Sequence, residues 1–225
     1  MSITLERFET LPYILQLPEN YEKGRRYPIL LNLHGAGTRG ITLEEYAQSP
    51  MFDRFAEHMQ IEPFITVAPH CTAHTWFDRF ETLIRLAQLL PTLPFADPDR
   101  IYLMGTSMGG YGAWQLGMSH PELFAALLPI CGGGMRWNVS RLVNVPVWAF
   151  HGGKDTVVFP EESIKLVERL QEKGANAKLT IYPENGHDAW NDTFKNPEVF
   201  AWMLAQRRHC EKELQDECKG RAQFG

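Results

Sequence analysis

The chain has 225 residues, 44% of them hydrophobic and 12% aromatic, which suits one α/β domain with a full core and excludes a disordered chain. A net charge of −5, spread along the chain, excludes the basic footprint of a nucleic-acid binder, and no run approaches the roughly 18 uninterrupted apolar residues of a membrane span. The opening stretch, MSITLERFETLPYILQLPE, has no basic start followed by an apolar block, so Cys71, Cys131, Cys210 and Cys218, which lack CxxC spacing, are read as free thiols of a cytoplasmic protein.

In chain order, short apolar runs alternate with longer helical patterns. Strands at 12–17 (PYILQL) and 28–33 (PILLNL) precede a helix at 43–59, and a strand at 63–68 (PFITVA) precedes a helix at 76–90. A strand at 100–104 (RIYLM) leads into a helix at 107–118, and strands at 124–130 (FAALLPI) and 146–150 (PVWAF) lead to a helix at 160–173. That helix has Pro160 at its start, Glu161 and Glu162 in its first turn, and Gly174 where a left-handed cap would end it. A strand at 177–182 (AKLTIY) and a helix at 197–217 complete the pattern. Continuous apolar strands separated by helices predict a mostly parallel sheet of seven to eight strands with helices on both faces. No repeat, low-complexity tract or linker interrupts it, so residues 1–225 are read as a single domain. Residues 206–225 form a charged helical extension whose groups at 203, 210, 214 and 218 make a weak stripe that docks on the parent domain.

The run RIYLMGTSMGGYGAW places Ser107 between a strand and a helix, fenced by Gly105, Gly109 and Gly110. A strand that becomes a helix within three residues needs a sharp turn, and side chains two positions either side of its apex would collide with adjoining structure. A serine hydroxyl becomes a nucleophile when a base takes its proton and a carboxylate orients that base. The stretch VWAFHGGKDTVV supplies Asp155 and LTIYPENGHDAW supplies His187, each five residues beyond an apolar run. Glu184, Asp188 and Asp192 compete for the acid role, but residues adjacent to a histidine point away from its ring. The N–H of Met108 and an N–H from the glycine-rich loop LLNLHGAGTRG, that of Ala36, are the expected donors of an oxyanion hole. His34 and His151 end strands and are read as imidazoles bonded to loop carbonyls. His70 and His74 lack a third ligand, so neither metal nor cofactor is expected.

These residues resemble the α/β-hydrolase superfamily, and within it the compact bacterial esterases labelled predicted peptidases, the phospholipase/carboxylesterase and dienelactone-hydrolase-like group. The matching pieces are LLNLHGAG, VAPH, RIYLMGTSMGGYGAW, FHGGKDTVV and LTIYPENGHDAWNDTFKNPEVFAWML. The resemblance implies a serine carboxylic-ester hydrolase with Ser107 as nucleophile, Asp155 as acid and His187 as base. Dienelactone hydrolases proper carry cysteine where this chain has Ser107, and here Phe159 separates the DTVV valines from Pro160. About fifteen residues join the strands at 124–130 and 146–150, too few for a cap domain. Trp76, Trp137, Phe159 and Trp190 fall on loops expected to rim an open site and bind substrate. The expected partner is a small-molecule ester, with no nucleic acid and no membrane, for a monomer or homodimer. A peptidase or thioesterase using the same residues is the alternative, and a non-catalytic binding protein of this fold is the third reading.

Overall fold

The computed structural model describes residues 2–208. Eight strands form one sheet: β1 (Ser2–Phe8), β2 (Leu11–Leu17), β3 (Tyr27–Leu33), β4 (Ile65–Pro69), β5 (Ala96–Thr106), β6 (Ala126–Ile130), β7 (Val147–Gly152) and β8 (Ala177–Tyr182). Their order across the sheet is β1-β2-β4-β3-β5-β6-β7-β8. The hairpin of β1 and β2 joins β4 antiparallel, and every pairing from β4 to β8 is parallel. The described helices are α1 (Leu43–Ala47), α2 (Pro50–Met59), α3 (Phe80–Leu89), α4 (Met108–Ser119), α5 (Glu161–Glu172), α6 (Trp190–Lys195) and α7 (Pro197–Leu204).

Alternation along the central strands divides the core between the two faces of the sheet. Ile29, Leu31 and Leu33 of β3 join Ile101 and Leu103 of β5 on one face, under α3, α4 and α5. Leu30, Tyr102 and Met104 point to the other, where Phe55 and Met59 of α2, Phe194 of α6 and Phe200 and Met203 of α7 cover them. With both faces covered, β3 is buried at every position, which is why its sequence is apolar at all positions but Asn32. The carboxyl ends of β3, β5, β7 and β8 lie along one edge, so the segments that follow them meet there. Residues 131–146, between β6 and β7, carry only a short 3-10 turn, Val139–Leu142.

Several elements differ from their expected form for local reasons. The helix expected over 43–59 is broken by Pro50, whose ring cannot continue a helix; Ser49 caps a new one there, accepting the Met51 N–H at 3.4 Å. Strand β1, absent from the expected set, is an edge strand with mostly exposed, polar side chains, defined by its pairing from Ser2↔Leu17 to Phe8↔Leu11. Strand β5 starts at Ala96, ahead of the expected 100, because Ala96 pairs with Tyr27 before a register shift. Helix α5 ends as its sequence indicates, with Gly174 at φ 77°. After α7 the chain leaves the helix, and the Arg208 N–H donates to the Asp99 carbonyl at 2.8 Å. The helical extension expected over 206–225 is therefore not helical at 206–208, and the rest of it, with Cys210 and Cys218, lies outside the described residues. No helix among the described residues is long and apolar enough to cross a membrane.

Phe200 anchors the α2/α7 side of the core. Its ring is 1% exposed, stacks on His58 with centroids 3.8 Å apart, and lies 5.6 Å from that of Phe55. Phe200→Ala should lower unfolding stability by about 3–5 kcal/mol in a urea titration; a loss below about 1 kcal/mol would show that the core closes over the missing ring.

Candidate active site

Ser107 occupies the turn between β5 and α4 at φ 54°, a left-handed conformation that costs a non-glycine residue about 1–3 kcal/mol. The Ser107 N–H donates to the Ile130 carbonyl at 2.8 Å, and the Tyr111 N–H donates to the Ser107 carbonyl at 3.1 Å. The flanking glycines are required by contact. A Cβ on Gly105 would stand 2.1 Å from the Gly109 carbonyl oxygen, and one on Gly109 would stand 2.0 Å from that of Leu33. These positions hold the hydroxyl out at the carboxyl edge of the sheet.

The segments after β7 and β8 bring Asp155 and His187 to that hydroxyl. Ser107 Oγ lies 2.7 Å from His187 Nε2, and His187 Nδ1 lies 2.7 Å from Asp155 Oδ2. Asp155 is buried, and its Oδ1 accepts the N–H groups of Val157 at 2.9 Å and Val158 at 3.0 Å. Burial alone would raise the Asp155 pKa, but the hydrogen bonds from His187, Val158 and Val157 outweigh it and hold the carboxyl below its ordinary value. An ionised carboxylate only accepts, so the imidazole proton resides on Nδ1 and Nε2 turns its lone pair to the serine O–H. The Trp190 ring packs against the imidazole at 87°, with centroids 5.5 Å apart. The competing acids are elsewhere: Glu184 pairs with Lys154, Asp192 accepts from Asn185, and Asp188 is exposed.

The loop after β3 is pinned by side-chain donors. Trp76 Nε1 donates to the His34 carbonyl at 3.0 Å, Arg39 Nε to that of Ala36 at 3.1 Å and His70 Nε2 to that of Thr38 at 3.0 Å. His34 Nε2 accepts the Cys71 N–H at 2.9 Å, which fixes the ring proton on Nδ1, and Nδ1 donates to the Gly35 carbonyl at 2.7 Å. Every described peptide is trans, so a Gly35 oxygen held by the His34 ring turns the Ala36 N–H away from that ring. Gly35 packs on the serine itself; a Cβ there would lie 3.5 Å from Ser107 Cβ. Ala36 and Met108 each open a helical turn, where no intrahelical carbonyl reaches the N–H.

Ser107, His187 and Ala36 line one cavity of about 640 Å³, which runs between α2 and α6 past Met51, Phe194 and Trp190. Of the aromatic residues expected at its rim, Trp190 lines it. Trp76 does not: its indole is 0% exposed, beneath His34 and against Gly112, because its N–H is spent holding the loop after β3. Trp137 and Phe159 are exposed but lie outside the cavity lining, which takes Val157 from the Asp155 segment instead. His34 and His151 are bonded to the Gly35 and Val158 carbonyls, as their positions at strand ends indicated. Among the described residues one group, Cys131, His151 and Asp155, gathers metal-type donor atoms within 4.8 Å of one another. Its carboxylate and both imidazole nitrogens already have protein partners, and burial, with the Asp155 charge, pushes the Cys131 thiol up to about 12. That donor set does not suit a resident metal.

The family model described as the dienelactone hydrolase family matches residues 69–207. The dipeptidyl-peptidase 5 of Schizosaccharomyces pombe is 24% identical over 86% of this chain and 35% of its own length. The chain thus spans about a third of the dipeptidyl-peptidases it matches. Among solved structures, a thermostable esterase superposes with a TM-score of 0.78 and 32% identity, over 92% of this chain and 63% of that one. The feruloyl esterase module from Clostridium thermocellum, complexed with sinapinate, superposes with a TM-score of 0.72 and 14% identity, over 93% of this chain and 90% of that one.

The loop after β3 leaves a signature in acid. Burial pushes His34 from 6.5 down to about 4, so below pH 6.5 the unfolded chain takes up a proton at this residue that the folded chain refuses. Stability falls as pH drops from 6.5 to about 4, by about 3 kcal/mol at 1.36 kcal/mol per pH unit, and this group adds no further loss below that. His34→Gln should therefore lose about 3 kcal/mol less than the parent across that window in urea titrations at a series of pH values. Parallel pH profiles for the two proteins would mean that the ring titrates normally.

Proposed function

The chain belongs to the dienelactone hydrolase family, within the α/β-hydrolase superfamily, and from that membership and the site geometry we propose that it is a serine hydrolase cleaving carboxylic esters through an acyl-enzyme. The observation that carries this is the unbroken run of hydrogen bonds from Ser107 through His187 to Asp155, each link 2.7 Å long. In the proposed reaction His187 Nε2 takes the hydroxyl proton as Ser107 Oγ attacks the ester carbonyl. The Nδ1–H donated to Asp155 keeps the ring in the tautomer that can accept it, and the buried carboxylate stabilises the imidazolium that forms. The carbonyl oxygen becomes an oxyanion held by the N–H groups of Ala36 and Met108, each donor being worth about 3–4 kcal/mol of transition-state stabilisation. Imidazolium then protonates the leaving alcohol, and water repeats the sequence on the acyl-enzyme. His34 supports the hole indirectly, by holding the Gly35 carbonyl away from it.

Pro50, Met51, Phe194, Trp190 and Val157 supply apolar wall to the cavity, which supports acyl or alcohol groups of some bulk. A second reading, peptide-bond hydrolysis with the same residues, draws on the dipeptidyl-peptidase relatives, which match 83–86% of this chain.

Ser107→Ala should lower turnover of p-nitrophenyl acetate and butyrate by about 10³-fold or more while leaving the thermal midpoint close to the parent value. The parent protein should be labelled at Ser107 by a fluorophosphonate, and the variant should not. Undiminished turnover in the variant would end the proposal, and faster cleavage of an aminoacyl-p-nitroanilide than of the esters would favour the peptidase.

A further inference from the structure

We propose that His151 is a positioning residue for Asp155: its ring locks the turn that presents the carboxylate and ties that turn to the segment beneath Ser107. The inference rests on the role given to Asp155 above. His151 is 0% exposed and outside the cavity, so it touches no substrate.

Asp155 has its two oxygens sorted by the backbone. Oδ1 is filled by the N–H groups of Val157 and Val158, and Oδ2 is left to His187. The carbonyl of that same Val158 accepts a hydrogen bond from His151 Nε2 at 2.9 Å. Since a carbonyl only accepts, Nε2 carries its proton, and the positive end of this N–H bond stands near Asp155 Oδ2, at an N to O separation of 3.4 Å. Neither side chain meets solvent, so the carboxylate feels that dipole in a low-dielectric surrounding. One ring thus fixes the far end of the Asp155 turn and faces the oxygen that serves His187.

The other nitrogen reaches across the fold. His151 Nδ1, the unprotonated nitrogen, accepts the Ser163 O–H of α5 at 2.8 Å, and Ser163 Oγ rests against the Gly132 carbonyl after β6 at 3.0 Å. The Gly132 backbone abuts the first turn of α4; a Cβ on Gly132 would stand 2.5 Å from the Gly110 carbonyl carbon. Two residues earlier, the Ile130 carbonyl accepts the Ser107 N–H. The acid-bearing turn and the serine-bearing turn are therefore connected below the cavity through His151 and Ser163, independently of the contact His187 makes above.

The test uses His151→Leu and His151→Gln, side chains of nearly equal volume, with Ser163→Ala as a variant that removes only the distal tie. His151→Leu should lower kcat on p-nitrophenyl butyrate about 10- to 100-fold with KM within about two-fold, because it lets the carboxylate drift without touching the binding cavity. His151→Gln can still present an N–H to Val158 and should recover kcat to within about five-fold of the parent, and Ser163→Ala should lower it about two- to ten-fold. Equal losses in the Leu and Gln variants, or an unchanged kcat in the Leu variant, overturn the proposal. If His151→Leu fails to fold, Ser163→Ala decides, and a parental kcat in it overturns the proposal. Parent protein that takes no fluorophosphonate at Ser107 overturns the hydrolase reading and this inference with it. Labelled parent beside an unimpaired Leu variant overturns this inference alone.

Discussion

The carboxyl edge of the sheet is assembled by backbone packed directly on backbone. Gly109 lies against the Leu33 carbonyl, Gly105 against that of Gly109, Gly110 against that of Ile130 and Gly152 against that of Gly186, with room for a Cβ at none of them. The Gly105 contact closes the turn from β5 into α4 on itself, and the other three join that turn to the ends of β3 and β6 and join β7 to the segment after β8, so these strand ends are held at fixed separation by hard contact. Hydrogen bonds then act within that frame. The separations of 2.7 Å among Ser107, His187 and Asp155 follow from where these glycine contacts set the three segments. Glycine costs backbone entropy in the unfolded chain, and the sequence accepts that cost repeatedly along one edge of the molecule.

This explains what could be read from the sequence. Ser107, Asp155 and His187 were legible because each follows an apolar run and sits among glycines, and parallel strands send such positions to a common edge. Strand boundaries were legible where burial on both faces made the run almost wholly apolar, as in β3, which Asn32 alone interrupts. Elements defined by partners rather than by their own pattern were not. β1 owes its conformation to β2, and α6 is a six-residue helix too short to show a period. Trp76 illustrates a further limit. An aromatic residue near a sheet edge carries no sign of which way it faces, and its indole N–H went to the His34 carbonyl instead of to the cavity. The pocket residues supplied by α2 and Val157 were likewise invisible, since their placement depends on helix packing.

Polar groups beneath the site follow the same economy as the glycines. His34, His70, Trp76 and Arg39 each give a donor to a carbonyl of the loop after β3, and His151 gives one to the loop after β7. A loop without ladder hydrogen bonds must satisfy its buried carbonyls somehow, and doing so with rigid rings also fixes the direction of the next N–H. Burial keeps His34 and His151 below their ordinary pKa, so both are neutral donors at pH 7 and add no charge beside Asp155. The carboxylate then faces one partner able to become cationic within hydrogen-bonding distance, His187. That asymmetry suits a proposed base whose charge must appear and vanish during turnover.

The cavity is built by different means from its floor. Its floor is the glycine-packed edge, while its side walls are helices, α2 on one side and α6 on the other. The α6 wall is chemically continuous with the base: Trp190, its first residue, lines the cavity and also packs on the His187 ring. Changes there alter the shape of the pocket and the seating of the imidazole together. The α2 wall, Pro50, Met51 and Arg54, makes no hydrogen bond to Ser107, His187 or Asp155 and begins at a proline that separates it from α1. A chain altering its choice of substrate while keeping its reactive geometry has that freedom on the α2 side. On the proposed reading, residues that discriminate between substrates belong there, and those that would make the serine reactive belong to the glycine-packed floor.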